Sequence, residues 1–158
     1  MSLTVVSVAD RQETLPRIEQ WYLEEWPGWY GPSGPGDARL DLTACLADPA
    51  CLPSCLVALD AAAEPVGTVS LRTSSPGSDR YPGAWLTGLL VPPHKRRLGV
   101  GSRLVEAAEQ EAGRLGFGEI HATTGAARSL LERRDWQCID SMETRTGSLE
   151  IFRKSLGR

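Results

Sequence analysis

Leu89-Leu90-Val91-Pro92-Pro93-His94-Lys95-Arg96-Arg97-Leu98-Gly99-Val100-Gly101-Ser102-Arg103-Leu104 decides the reading of this chain. An apolar run, residues 84–91, reads as a buried strand and ends at a proline pair that cannot continue a ladder. A basic turn with two glycines follows, and then a long helical pattern. Leu104, Val105, Ala108, Ala112 and Leu115 share one face of that helix, and Gly116 and Gly118 stop it. The first amides of a helix lack internal acceptors, and the helix dipole adds positive character there. Gly99 and Gly101 remove side chains that would hold an anion off the main chain, and Lys95, Arg96, Arg97 and Arg103 add formal charge. The stretch therefore suits a phosphate or diphosphate. Read alone, the same residues also fit an ordinary helix start with its basic side chains in solvent.

Two phosphate-binding motifs fail here. A Walker loop needs Gly-Lys-Ser/Thr, whereas Gly101 is followed by Ser102-Arg103. A dinucleotide fingerprint needs a third glycine where Leu104 stands, on a strand near the start of the domain.

Working outward, residues 4–8 read as a first strand and residues 11–25 as an amphipathic helix with Pro16 in its first turn. Pro27 ends it. Residues 26–36, rich in tryptophan, glycine and proline, read as an aromatic loop, and residues 39–48 as a short helix. Strands are expected at 55–59, 66–72, 84–91, 119–124, 137–143 and 148–154, and further helices at 102–115 and 126–134. The expected architecture is α/β (α+β): a mixed, mostly antiparallel sheet of about six to seven strands flanked by about four helices, forming one domain over residues 1–158.

The chain of 158 residues is 41% hydrophobic and 23% charged, which is the profile of a folded soluble domain large enough to need no metal or disulfide. No apolar run approaches a membrane span, and the first residues, MSLTVVSVADRQ, carry neither a basic region nor an apolar leader core. A cytoplasmic location is expected. The formal net charge of −3 argues against broad nucleic-acid binding. Cys45, Cys51, Cys55 and Cys138 form no Cys-x-x-Cys pair and read as reduced thiols, and no metal site is expected.

Val91-x-Pro93-x-x-Arg96-x-x-Gly99-x-Gly101, with its helix and the strand at 119–124, resembles the acetyl-CoA motif Q/R-x-x-G-x-G/A of the GNAT N-acetyltransferases. The stretch Ala127-Arg128-Ser129-Leu130-Leu131-Glu132-Arg133-Arg134-Asp135-Trp136 is similar to that family's later A-x-x-F-Y-E-K-L-G-F segment, and the order of elements fits over nearly the whole chain. The resemblance implies acetyl transfer from acetyl-CoA to a primary amine by direct attack in a ternary complex. It implies that the amides of Arg96 or Arg97, Leu98, Gly99, Val100, Gly101 and Ser102 hold the diphosphate. Leu89 and Val91 would pair with the pantetheine arm, the Val91 amide would polarise the thioester carbonyl, and the strand would part from that at 119–124. Thr124 would line the cofactor, where the family often has asparagine.

This sequence departs from the pattern at several positions. Leu131 stands where the family often has a tyrosine that protonates the leaving thiolate, Trp85 where many members have a glutamate base, and Asp135 where the Gly-Phe pair has its glycine. Glu24, Glu25, Asp79 and His121 are candidate bases, and Cys138 a weaker candidate nucleophile. Glu24 and Glu25 with Trp26, Trp29 and Tyr30 suit a cationic amine through carboxylates and ring faces. The acceptor is then an amine-bearing small molecule or a peptide N-terminus, and a homodimer is one expected assembly. A catalytically weak coenzyme A-binding module is the alternative reading.

Overall fold

The computed structural model describes residues 2–96, 98–145 and 147–157. Seven strands form one sheet: β1 (Thr4–Ser7), β2 (Ser54–Leu59), β3 (Pro65–Arg72), β4 (Ala84–Leu90), β5 (Glu119–Thr124), β6 (Gln137–Thr144) and β7 (Gly147–Ser155). Their spatial order is β1-β2-β3-β4-β5-β7-β6. Every pairing is antiparallel except β4 with β5. The helices are α1 (Leu15–Glu25), α2 (Pro27–Tyr30), α3 (Ala38–Ala44), α4 (Val100–Arg114) and α5 (Arg128–Arg133).

The strand alternation sorts side chains into two cores. On one face Leu56, Ala58, Leu86, Ile120, Ala122 and Phe152 meet α4 through Leu104, Val105, Ala108 and Ala112. On the other, Cys55, Val57 and Leu59 meet Ile18, Trp21 and Tyr22 of α1 and Leu42 of α3. Helix α4 ends in a Schellman motif: Gly116 has a φ of +94°, its N–H bonds the Gly113 carbonyl, and the Phe117 N–H reaches the Ala112 carbonyl at 3.0 Å. Helix α3 starts under Asp37, whose carboxylate accepts from the Leu40 amide at 3.0 Å.

Three local expectations need correcting. Residues 26–36 are not wholly loop: Pro27, pre-set for a first helical position, opens the single-turn helix α2, which ends at Gly31. This raises the helix count to five. Helix α1 begins at Leu15, because residues 11–14 form a tighter turn first. Helix α5 spans only Arg128–Arg133, since Asp135 takes a φ of +68° and turns the chain into β6.

The feature that matters most lies in β4. Between the pairs Thr68↔Leu90 and Ser70↔Thr87, β4 contains one residue more than β3, a bulge at Gly88, whose φ is +59°. The extra residue inverts the facing of the strand. Leu86 packs in the α4-side core, Leu90 in the α1-side core. Among the described residues, no helix is long and apolar enough to cross a membrane.

Candidate active site

Strand β4 pairs with β5 only at Ala84↔Ile120, Trp85↔His121 and Leu86↔Ala122. From Thr87 onward the two strands part, at the point where the bulge bends β4 away. The parting opens a slot of about 330 Å³ between Thr87, Leu89, Thr123 and Thr124, closed on the helical side by Glu25 and Trp26. The slot shares Glu25, Leu89, Ala126 and Ala127 with a larger cleft of about 700 Å³, walled by Val91, Arg96, Gly99, Gly101, Ser102 and Arg133. Through these shared residues the two cavities adjoin, and together they run from the start of α4 to the split in the sheet.

The start of α4 is bare. Gly99 precedes it in left-handed conformation, with a φ of +81°, and no side chain caps it. A Cβ on Gly101 would meet only the end of Leu130, at 3.3 Å, so the glycine leaves its face of the cleft open. Arg96 lines the larger cleft and reaches toward Glu25, which the two cavities share. Its Nε donates to the Val91 carbonyl at 2.8 Å, and its Nη2 lies 3.7 Å from a Glu25 carboxylate oxygen.

The structure brings Leu89, Val91, Arg96, Gly99, Gly101, Ser102 and Thr124 of the expected cofactor residues to these two cavities. Leu98 is 49% exposed and the Val100 side chain is buried in the core, so at both only the main chain is placed to contribute. Arg97 lies outside the described residues. Thr124 caps the following turn, its Oγ1 accepting from the Ala126 and Ala127 amides.

Of the expected acceptor residues, Glu25 and Trp26 line the slot. Glu24 faces solvent and accepts a hydrogen bond from Gln20. Trp29 is 55% exposed. Tyr30 stacks on Tyr22 at 5.3 Å and donates to Asp41 at 2.7 Å, a packing arrangement outside the slot wall. Asp79 is exposed on the segment 73–83 that straps across β4, β5 and β7, and it lines neither chamber.

Trp85, His121 and Tyr81 form an aromatic stack beneath that strap, with centroid spacings of 5.0 and 5.6 Å. His121 is buried and neither ring nitrogen has a hydrogen-bond partner. Burial holds its pKa below the usual histidine range, so it stays neutral, away from the cavity lining. Cys138 is exposed on β6. Desolvation, then its contact with Glu150, raises its pKa and makes it a poor nucleophile.

Sequence reasoning passed over Thr87, Ser129, Leu130 and Arg133. The last three fall in the stretch singled out around Leu131, where one helical turn presents them to the cleft. A separate cavity of about 520 Å³ opens beside β1. Its Glu111 is already held by Ser54 and Arg114, at 2.7 and 2.8 Å. Among the described residues, no group of three or more His, Cys, Asp or Glu side chains is placed to hold a metal ion.

The model of the acetyltransferase (GNAT) family matches residues 15–135. The Salmonella typhimurium protein yncA, solved with its cofactor acetyl-CoA, superposes with a TM-score of 0.77 at 18% identity, over 100% of this chain and 96% of that one. A GNAT superfamily phosphinothricin acetyltransferase from Sinorhizobium meliloti, in complex with acetyl-CoA, gives 0.76 at 20% identity, over 99% and 90%. The aminoglycoside 6'-N-acetyltransferase from Enterococcus faecium gives 0.74 at 16% identity, over 100% and 98%. At these identities the likeness is one of fold. No curated protein sequence is a match.

Proposed function

The chain belongs to the acetyltransferase (GNAT) family, and on that premise we propose that it transfers an acetyl group from acetyl-CoA to a primary amine by direct attack in a ternary complex. The observation that carries this reading is the pair of adjoining cavities, with an uncapped, glycine-bearing helix start at one end and a split between two parallel strands at the other.

The residues present fit the cofactor. The bare start of α4, with Gly99 and Gly101, suits a diphosphate, and Arg96 and Arg133 add positive charge in the same cleft. The edge of β4 beyond Leu86 is free of β5 and suits an extended pantetheine arm. Bound there, acetyl-CoA supplies a thioester whose C–S bond breaks as the amine forms its C–N bond, the sulfur leaving with the bonding pair.

The protein's part is positional and electrostatic. The Val91 amide polarises the carbonyl. Glu25, where the chambers meet, attracts the ammonium form and takes, directly or through water, the proton the nitrogen sheds before attack. Leu131 is buried and lines the slot, so no acid stands at that position. A thiol with a pKa of about 8.5 is a serviceable leaving group without one.

Trp26 lines the slot and not the cleft. Trp26→Ala is expected to raise the amine KM about tenfold, since a cation over an aromatic face gains about 1–2 kcal/mol. Its acetyl-CoA affinity by calorimetry should stay within twofold. An equal loss of both would place Trp26 in the fold and not at the acceptor.

The second reading, a coenzyme A-binding module with little turnover, is favoured by Leu131 and by Trp85, which is buried in the aromatic stack and offers no base. Release of free thiol from acetyl-CoA across a panel of amines separates the two. Turnover supports the transferase. Tight binding without turnover supports the module.

A further inference from the structure

The surface that the slot offers a ligand is mostly carbon. Trp26 closes its helical side, Leu149 contributes from β7, and small residues lie between. Trp26 and Leu149 are both half-buried, so each keeps part of its ring or branch open to the slot.

The side-chain oxygens of the wall are engaged or sealed. Thr123 donates to the Pro76 carbonyl, and Thr124 accepts from two amides. The Thr87 hydroxyl is shut off from solvent. Among the described residues, Glu25 is the one charged side chain in the wall, and an Arg96 nitrogen stands 3.7 Å from it. Carboxylates on the outer strands are committed as well. Asp140 takes hydrogen bonds from Arg80 and Tyr81, both at 3.0 Å, and Glu150 holds Arg128. A polar or charged group on the body of an acceptor would give up its water here without gaining a side-chain partner. A hydrocarbon body gains by leaving water.

We propose, resting on the acetyl-transfer reading above, that the acceptor carries its amine on a compact hydrocarbon body, as an alkylamine or arylalkylamine does, seated against Trp26 and Leu149. Specificity then lies in apolar contact and not in a polar clamp. The slot also limits size: at about 330 Å³ it sits at the lower end of the roughly 300–1,000 Å³ usual for small-molecule sites.

The test is steady-state acetylation at saturating acetyl-CoA of the straight-chain series from n-propylamine to n-hexylamine, whose ammonium groups are alike. Each methylene that enters the slot should raise kcat/KM by about fourfold until the slot is full. Putrescine matches n-pentylamine in length, with an ammonium in place of the terminal methyl, and should be at least tenfold poorer. The aminoglycoside kanamycin, a bulky polycation, should be poorer still. Leu149→Asp should shift the ratio of n-pentylamine to putrescine at least tenfold toward putrescine. Its acetyl-CoA affinity by calorimetry should stay within twofold, since Leu149 lines the slot and not the cleft. A merely structural leucine would lower activity toward both amines alike. Leu149→Ala, which only shortens the side chain, should lower kcat/KM for n-pentylamine about fivefold and leave that for n-propylamine unchanged. A flat or falling alkyl series, a parent enzyme that prefers putrescine or kanamycin, or an unchanged amine ratio in Leu149→Asp overturns this inference alone. Failure of acetyl-CoA to bind, or binding with no amine acetylated, overturns the transfer reading and this inference with it.

Discussion

Gly101→Glu is expected to weaken acetyl-CoA binding at least a hundredfold while leaving the fold intact. Gly101 has an ordinary helical backbone, and the one near neighbour of an added Cβ is the mobile end of Leu130, at 3.3 Å. The side chain is therefore accommodated, but it projects into the cleft that the diphosphate must enter. Two like charges about 4 Å apart at an effective dielectric near 20 repel by roughly 4 kcal/mol, about a thousandfold in affinity, and a hundredfold remains after solvent screening. Calorimetry against acetyl-CoA measures the loss, and a melting curve within about 3 °C of the parent shows that folding is not its cause. Gly101→Ala, which adds bulk without charge, should lose only a few-fold. An affinity within threefold of the parent in Gly101→Glu would remove the anion cradle from this account.

Glu109→Ala should lower the melting temperature by roughly 10 °C, the largest stability effect expected of a single polar substitution here. Glu109 lies buried on α4 and accepts from Arg134 at 2.8 and 3.0 Å, from the Trp136 indole at 2.9 Å and from Lys154 at 3.0 Å. It thereby ties α4 to the end of α5 and to β7. Removing the acceptor leaves two cations and an indole N–H without a partner, a loss of about 3–5 kcal/mol for a buried pair. Burial by itself raises this carboxyl's pKa, but the bonds from Arg134, Trp136 and Lys154 outweigh it and hold the group below the usual carboxylate range. A lowered folded pKa means that the stabilisation is fully present above the unfolded value, near 4.3, and is lost as pH falls through the folded one. Melting curves between pH 7 and pH 3 should show that acid limb flattened in Glu109→Gln. Because α5 carries Leu130 and Arg133 of the cleft wall, Glu109→Ala should also weaken acetyl-CoA binding. An unchanged melting temperature would mean that the cluster contributes nothing to holding α5.

The elements of the proposed cofactor end are written locally, and so they were legible. The apolar strand, the proline pair, the two glycines and the 3.6-residue period of α4 each fix their own stretch of chain, and Gly116 marks the helix stop in the sequence itself. The bulge was harder to see. A lone glycine inside AWLTGLLV signals an irregular strand, but the inversion of facing from Leu86 to Leu90 depends on register with β3. The proposed acceptor end was legible only in outline for a similar reason. Glu24 and Glu25 are adjacent on a helix end and point about 100° apart, so Glu25 lines the slot mouth while Glu24 turns to Gln20 in solvent. Which of the two does so depends on how α1 packs on the sheet. Likewise Trp29 and Tyr30 share α2, yet Tyr30 is held by Tyr22 and Asp41 while Trp29 stays exposed.

A crystal structure of the protein with acetyl-CoA tests the central claim most directly. The diphosphate oxygens should lie within hydrogen-bond distance of the main chain between Gly99 and Ser102, with the thioester in the split between β4 and β5 beside Glu25. A diphosphate bound elsewhere, or a thioester outside that split, would contradict the account.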